Sequence, residues 1–458
     1  MKKTVSWAAA LATALGLLAS AACAQEATGD WHGVLKVGPS ELRIGLTVTA
    51  GLDGVLAGQL VSPDQGGAAI ALSEVRGQGG KLSFSATAIH GRFESAWDAA
   101  QQAWVGSWTQ GVSLPLTLTR GPVPVAARPQ TPGRPYPYRE EEVAFDSAPG
   151  VRLAGTLTLP PGEGPFPAVV LITGSGPQDR NETLAGHQPF LVLADHLTRK
   201  GVAALRFDDR GVGKSTGGFA AATSSDFAVD TEAAAAFLRG RPEIAAGKVG
   251  LLGHSEGGMI APMVAAKDPK IAFLLLLAAP GVPARALLTA QHQAVMAALG
   301  APPEAIARSQ ALMTKVDDAV LQAKDADSAR AEVTRLLAEA RGDLPPAAAA
   351  VQASMIGSPW YREFIAYDPG PALAKIRVPV LALNGDKDMQ VIAEQNVPAL
   401  RAALRDDRDV TVMALPGLNH LFQTAGTGSP QEYGRIEETF SPAALEIISD
   451  WIAARTRP

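Results

Sequence analysis

Two pentapeptides in this chain set a serine between glycines in the pattern G-x-S-x-G: Gly253-His254-Ser255-Glu256-Gly257 and Gly213-Lys214-Ser215-Thr216-Gly217. The chemistry this pattern serves is nucleophilic attack on a carbonyl carbon by a serine hydroxyl held on a tight turn between a strand and a helix. Chance alone supplies roughly 0.2 matches in a chain so rich in glycine, so context has to decide. A strand must run directly into the turn, a helix must leave it at once, and the neighbouring positions must carry no bulk. Ser255 meets all three demands: 248–252 is a short apolar run, and Gly257-Gly258-Met259-Ile260-Ala261 continues in helical fashion without a polar break. Ser215 lies in a glycine-rich loop, and the next helix starts only near Ser225 and Asp226. The same loop resembles the end of a phosphate-binding P-loop, but Asp208 stands where that motif needs a glycine. Asp209 adds a second negative charge where backbone amides would meet phosphate.

A serine hydroxyl needs a base within hydrogen-bond reach, itself oriented by a carboxylate. The chain has seven histidines. His32 and His90 fall in an N-terminal β-patterned region and His292 in an alanine-rich helical stretch. The ring of His254 cannot easily turn onto the hydroxyl of the residue beside it, and His187 and His196 precede the nucleophile. His420 remains, in the loop after the last strand pattern. Between Ser255 and His420, Asn384-Gly385-Asp386-Lys387-Asp388 closes another strand pattern with two carboxylates. Asp388 occupies the acid position of G-x-x-D-x-x-[VI] over 385–391, and Asp386 reads as a turn residue. The oxyanion of a tetrahedral intermediate needs backbone N–H donors. The amide of Glu256 follows the nucleophile at a helix start, and the amide of Ser175 is offered by Thr173-Gly174-Ser175-Gly176 after an earlier strand. The Glu256 side chain is expected in a salt bridge or in solvent.

The elements that would position these groups begin beyond residue 139. Apolar runs at 168–172, 202–207, 249–252, 271–277, 378–383 and 410–415 alternate with helix-period segments, as a mostly parallel sheet covered on both faces requires. Phe190, Leu193, Ala194 and Leu197 share one helical face, closed by Gly201. From about 284 to 374 the strand rhythm stops in an alanine-rich helical stretch, read as a cap over the sheet. Upstream, 25–120 shows period-two alternation, as in Leu42, Ile44, Leu46 and Val48, cut by turn pairs such as Asp53-Gly54 and Gly79-Gly80. This predicts an antiparallel sandwich or small barrel, with Trp31, Trp97, Trp104 and Trp108 read as core aromatics in preference to the lining of a carbohydrate or ligand site. Six prolines over 121–138 predict a stiff linker.

The fold class expected is therefore α/β, with a helical cap insertion and a small all-β domain in front. A net charge of −5 gives no footprint for nucleic acid or an anionic membrane surface. No stretch after the N-terminus approaches the roughly 20 apolar residues that span a bilayer. Residues 1–24 read as an export signal, with Lys2 and Lys3 before an apolar stretch and Ala22-Cys23-Ala24 as the cleavage site. A lipoprotein reading of Cys23 is disfavoured because Ser20 stands where an apolar residue is expected. The protein is thus expected outside the cytoplasm, periplasmic or secreted. A homo-oligomer is compatible with the sequence, and nothing in it selects a state.

From about residue 140 onward the chain resembles the secreted bacterial esterase branch of the α/β-hydrolase superfamily, near the serine aminopeptidase-like hydrolases. The likeness rests on 173–181 (TGSGPQDRN), on 206–215 (RFDDRGVGKS), on the Ser255 elbow and on the Asp388 and His420 loops. Thr173 departs from the histidine many members carry before the oxyanion glycine. The resemblance implies hydrolysis of small carboxylic esters through an acyl-enzyme, with no metal and no organic cofactor. Two other readings stay open: an exported aminopeptidase or amidase, with Glu256 or Asp179 receiving a substrate ammonium, and a non-catalytic ligand-binding protein.

Overall fold

The computed structural model describes residues 27–37, 40–65, 69–124, 126–340 and 346–456, so the expected export signal and Cys23 lie outside the described residues. The chain divides into two compact units, Met1–Ala127 and Arg128–Pro458.

In the first unit, period-two sequences become nine strands: β1 (Gly29–Val37), β2 (Ser40–Ala50), β3 (Leu56–Val61), β4 (Ile70–Ala71), β5 (Ser73–Gln78), β6 (Lys81–Ala86), β7 (Gly91–Asp98), β8 (Ala103–Gln110) and β9 (Val112–Arg120). They form one sheet in the order β4-β3-β2-β1-β9-β8-β7-β6-β5, every pair antiparallel. Its two edges, β4 and β5, are successive pieces of a single run separated by Leu72, so the sheet closes on itself as a barrel and leaves no long free edge. The alternating residues point inward: Leu46 and Val48, Leu82 and Phe84, and Leu116 and Leu118 are all buried. Trp31, Trp104 and Trp108 are buried with them, and Trp31, Trp97 and Trp104 pack edge to face at 5.1–5.9 Å. The tryptophans fill the core rather than line an opening.

Within the proline-rich stretch, the residues from Arg128 onward belong to the second unit. The Arg128 guanidinium donates to the carbonyls of Ala185, Gly186, Gly434 and Ile436, and Gln130 pairs with the backbone of Thr439 and Phe440. Side-chain hydrogen bonds supply the anchoring that a proline-rich backbone cannot make for itself.

The second unit carries an eight-stranded sheet: β10 (Arg139–Asp146), β11 (Arg152–Leu159), β12 (Phe166–Ile172), β13 (Ala203–Phe207), β14 (Ile244–His254), β15 (Leu274–Leu277), β16 (Val380–Gly385) and β17 (Val410–Leu415). The order is β10-β11-β13-β12-β14-β15-β16-β17, with β13 to β17 and β12 mutually parallel and β11 antiparallel to both neighbours. Both faces are dry. Val170 and Ile172, with Leu274 and Leu276, join one apolar cluster, while Val169 and Leu171, with Leu275 and Leu277, join the other. That is why these strands read as unbroken apolar runs rather than alternations.

Helices cover the two faces: α1 (Pro189–Arg199), α2 (Ser224–Arg239), α3 (Glu256–Ala265), and, after the cap, α10 (Ala393–Ala403) and α11 (Pro442–Thr456). Phe190, Leu193, Ala194 and Leu197 are buried on α1, and Gly201 leaves that helix with φ +91°. The start of α2 is a capping box in which Thr223 and Asp226 satisfy each other's backbone amides, so the helix begins at Ser224, one residue before the expected Ser225. Between β15 and β16 the cap runs through α4 (Ala284–Ala298), α5 (Pro303–Gln322), α6 (Ala326–Ala340), α7 (Pro346–Ile356), α8 (Pro359–Ala366) and α9 (Gly370–Leu373). These helices bury a core of their own, including Val316, Val320, Val333 and Phe364, joined to Met259 of α3. No described helix is long and apolar enough to cross a membrane.

Candidate active site

Strand β14 ends at His254 and α3 begins at Glu256, so Ser255 alone makes the turn. Its backbone sits at φ 53°, ψ −117°, a conformation that costs a non-glycine residue on the order of 1–3 kcal/mol and persists only where surroundings enforce it. The enforcement is visible. The Ser255 amide donates to the Leu277 carbonyl at 2.8 Å, and a Cβ on Gly257 would run into the backbone of Ile172 and Thr173. The apolar strand, the missing side chain and the following helix together hold the hydroxyl at the carboxyl edge of the sheet.

The loops after β16 and β17 meet beside it. His420 Nδ1 donates to Asp388 Oδ2 at 2.8 Å, and both side chains are buried. Asp388 Oδ1 is held by the amides of Gln390 (2.7 Å) and Val391 (2.8 Å), which fixes the carboxylate before the imidazole reaches it. The two loops can approach so closely because Gly385 has no side chain; a Cβ there would meet the Leu418 carbonyl. Asp386, read as a turn residue, accepts the Gly417 amide at 2.7 Å and so ties the acid loop to the histidine loop.

Ser175, Ser255, Glu256 and His420 line one pocket of about 250 Å³, roofed by Leu287, Gln291, Trp360 and Phe364 of the cap. Four of the five residues singled out in the sequence thus border the same hollow, and the fifth, Asp388, lies behind His420. Of the remaining histidines, only His254 borders the same pocket among the described residues. His187, for one, is buried between the Thr439 hydroxyl and the Tyr433 carbonyl, and burial pushes its pKa down to about 4. Ser215 of the competing pentapeptide donates to the Asp208 carbonyl and accepts the Ala154 amide, a structural pair of bonds. In the same loop the Lys214 amide points at the Asp208 carboxylate, so an internal acid fills the space a phosphate would need.

One expectation fails. The Glu256 side chain makes no salt bridge among the described residues and does not face solvent: it is 2% exposed, accepting the Ser224 hydroxyl at 2.6 Å and the Trp360 indole N–H at 2.8 Å. Burial pushes its carboxyl above the ordinary range, against the pull of those hydrogen bonds. Because the cap descends onto the first turn of α3, a helix position that would normally be wet becomes the point where cap and elbow are joined. Asp179 is likewise occupied, its carboxylate accepting the amides of Asn181 and Thr183.

Sequence reasoning missed a second buried acid and histidine beneath the elbow. His254 Nδ1 donates to Glu182 Oε1 at 2.8 Å, and its Nε2 donates to the His420 carbonyl at 2.9 Å. Both ring nitrogens face oxygen atoms, an arrangement that the imidazolium form satisfies with its two donors. Burial opposes that charge, yet the Glu182 carboxylate prevails and holds the pKa of His254 above its ordinary value. Glu182 Oε1 also accepts the Gly174 amide at 2.7 Å. A single ion pair therefore fastens the loop after β12, the elbow and the His420 loop to one another. Nearby, Asp209 accepts the Thr173 hydroxyl and the Gln178 amide and braces the other side of the 173–178 loop; burial pushes its pKa up to about 7. Glu182 follows directly on the 173–181 stretch, and only contacts 72 residues apart in the chain reveal its partner.

Replacing Glu182 by Gln is expected to lower kcat/KM by about 10- to 100-fold, because displacements near 1 Å at a reacting group cost that much. Stability should fall by on the order of 3 kcal/mol as a buried pair loses one charge. The sign with pH follows from the raised pKa of His254. Its contribution is complete below the unfolded value and is lost as pH rises through the higher folded value, so the stability gap between wild type and variant should narrow toward alkaline pH. Urea unfolding across a pH series, paired with kinetics, measures both.

An eight-stranded sheet of this order, with a serine elbow after its fifth strand and an acid and a histidine following the seventh and eighth, defines an α/β-hydrolase. Residues 149–420 match the X-Pro dipeptidyl-peptidase (S15) family, and the chain belongs to that family. It is 25% identical over 325 residues to Esterase EstD of Thermotoga maritima, covering 69% of this chain and 68% of that protein. Among solved structures it is similar to an esterase of Pyrococcus furiosus, with 15% identity, 69% of this chain, 90% of that chain and a TM-score of 0.41. The α/β hydrolase GrgF from a Penicillium species shows 16% identity, 69% and 99% coverage and a TM-score of 0.44. The protein is a hydrolase of this superfamily, with an all-β unit in front of the hydrolase fold.

Proposed function

We propose that the protein is an exported serine hydrolase that cleaves small carboxylic esters, with Ser255 as nucleophile, His420 as base and Asp388 as its orienting acid. The observation that carries this reading is the 2.8 Å bond from His420 Nδ1 to a carboxylate already fixed by two amides, beside a serine held in strained geometry on the same pocket. With Nδ1–H committed to Asp388, the free nitrogen Nε2 is the one left to accept a proton.

Ser255 Oγ bonds to the acyl carbon while its proton passes to His420 Nε2, and the carbonyl oxygen becomes an oxyanion received by the amides of Glu256 and Ser175. The intermediate collapses with cleavage of the bond to the alcohol oxygen, which takes the proton from His420. Water then attacks the acyl-enzyme, His420 accepts one of its protons and returns it to Ser255 Oγ, and the carboxylic acid leaves.

The family name and the Glu256 carboxyl bordering the pocket favour a second reading, a peptidase whose substrate ammonium pairs with that acid. Against it, Glu256 is already engaged by Ser224 and Trp360, and its raised pKa disfavours the charge such pairing needs. Matched substrates decide. The kcat/KM for p-nitrophenyl butanoate is expected to exceed that for the corresponding anilide by on the order of 10³-fold. Comparable or faster hydrolysis of glycyl-prolyl p-nitroanilide would put the peptidase in its place.

A further inference from the structure

We infer that the cleft between α4 and α5 of the cap receives the leaving-group arm of the substrate, and that this arm is an unbranched apolar chain. The inference rests on Ser255 being the nucleophile of an ester hydrolase.

The pocket over Ser255, at about 250 Å³, is smaller than the roughly 300–1,000 Å³ in which small-molecule sites usually fall, so an ordinary substrate must reach beyond it. Two hollows adjoin it. One, of about 400 Å³, runs between α4 and α5 and shares Leu288 and Gln291 with the catalytic pocket. The other, of about 620 Å³, opens over Gly176 and Pro177 and shares Ser175 and Trp360. They join the catalytic pocket through different residues, although Met355 borders both, and the proton inventory of the reaction tells them apart.

The alcohol oxygen must take its proton from His420, so the alcohol lies on the side of His420. The α4–α5 cleft is on that side: Gln291 reaches Gln390 at 3.4 Å, and the Gln390 amide holds Asp388, the partner of His420. The second hollow begins at Ser175, the proposed oxyanion donor, and is left for the acyl group. The lining of the cleft names the chemistry of the arm. Leu288, Val295, Met313, Met355 and Ile356 present aliphatic and thioether surface, which adapts to a flexible chain. The charged groups that also border it are matched without a ligand: Asp317 is bonded to Tyr361 at 2.8 Å, Arg285 pairs with Asp317 and Asp318, and His292 Nε2 lies 3.0 Å from the Ser309 hydroxyl.

Two ester series on the full chain test this: acetates of ethanol, butanol and hexanol, and ethyl esters of acetic, butanoic and hexanoic acids. In the alcohol series kcat/KM is expected to rise about two- to fourfold per methylene, the range set by burying a CH₂ group partly or wholly. Val295→Trp, which fills the cleft, should lower the ratio of hexyl to ethyl acetate at least tenfold. A ratio is insensitive to how much of the variant is folded, and Met313→Trp should reproduce it. A flat alcohol series in an active enzyme, or a ratio unchanged in both variants, overturns the assignment while leaving the esterase reading intact. Absence of Ser255-dependent hydrolysis of any ester overturns both.

Discussion

Ser255→Ala is expected to lower kcat/KM on p-nitrophenyl acetate by about 10⁴-fold or more, without loss of fold. The magnitude follows from removing the only atom that can bond to the acyl carbon, leaving oxyanion donors and binding to act on water alone. The fold should survive because the strain at residue 255 belongs to the backbone, which is held by the Leu277 carbonyl and by the close approach of Gly257 to Ile172. None of these contacts uses the hydroxyl. The informative control is Ser215→Ala in the second G-x-S-x-G pentapeptide. There the buried hydroxyl bonds the Asp208 carbonyl and the Ala154 amide, so its removal should cost about 1–3 kcal/mol of stability while turnover per folded molecule persists. Intact-mass detection of a fluorophosphonate adduct, present in wild type and in Ser215→Ala but absent from Ser255→Ala, reads the same distinction without kinetics. Wild-type turnover by Ser255→Ala would place the nucleophile elsewhere.

What could be read from the residues and what could not divide along a physical line. The strand–turn–helix geometry around residue 255 was legible because an elbow is local: a strand, two glycines and a helix within a dozen residues determine it. The sheet was legible for the same reason, since a strand buried on both faces, such as β15 with four leucines, has no other sequence to offer. The barrel of the first unit was legible as alternating strands. Its closure depends on β4 and β5 being one run that pairs with β3 on one side and β6 on the other, a long-range fact that no local pattern carries. Glu182 and His254 were illegible for a related reason. Buried charges are costly and are kept only when paired, yet the pairing partner sits 72 residues away and its identity depends on how two loops fold back. Glu256 shows the converse: a salt bridge or solvent was expected for its side chain, and a cap residue 104 positions downstream, Trp360, buries and bonds it instead.

Asp388→Asn is expected to lower kcat by on the order of 10⁴-fold, and the cause lies in which atom of the new amide faces which partner. Asp388 Oδ1 accepts two backbone amides, from Gln390 and Val391, so an asparagine must keep its carbonyl oxygen there. Its NH₂ group is then turned toward His420 Nδ1. A donor in that place drives the imidazole to the tautomer with hydrogen on Nε2, and that nitrogen can no longer accept the Ser255 proton. Asp386→Asn, two residues away, lacks this consequence, because its carboxylate accepts the Gly417 amide and the asparagine carbonyl can still accept it; a change within about threefold is expected. Kinetics on both variants, with unfolding midpoints to normalise for folded protein, separates a carboxylate that sets a tautomer from one that only ties loops. A loss smaller than tenfold in Asp388→Asn would remove it from the proton path. Because Asp388 acts on the hydroxyl only through His420, the double variant Ser255→Ala, Asp388→Asn should be no slower than Ser255→Ala alone, a non-additivity that independent contributions could not produce.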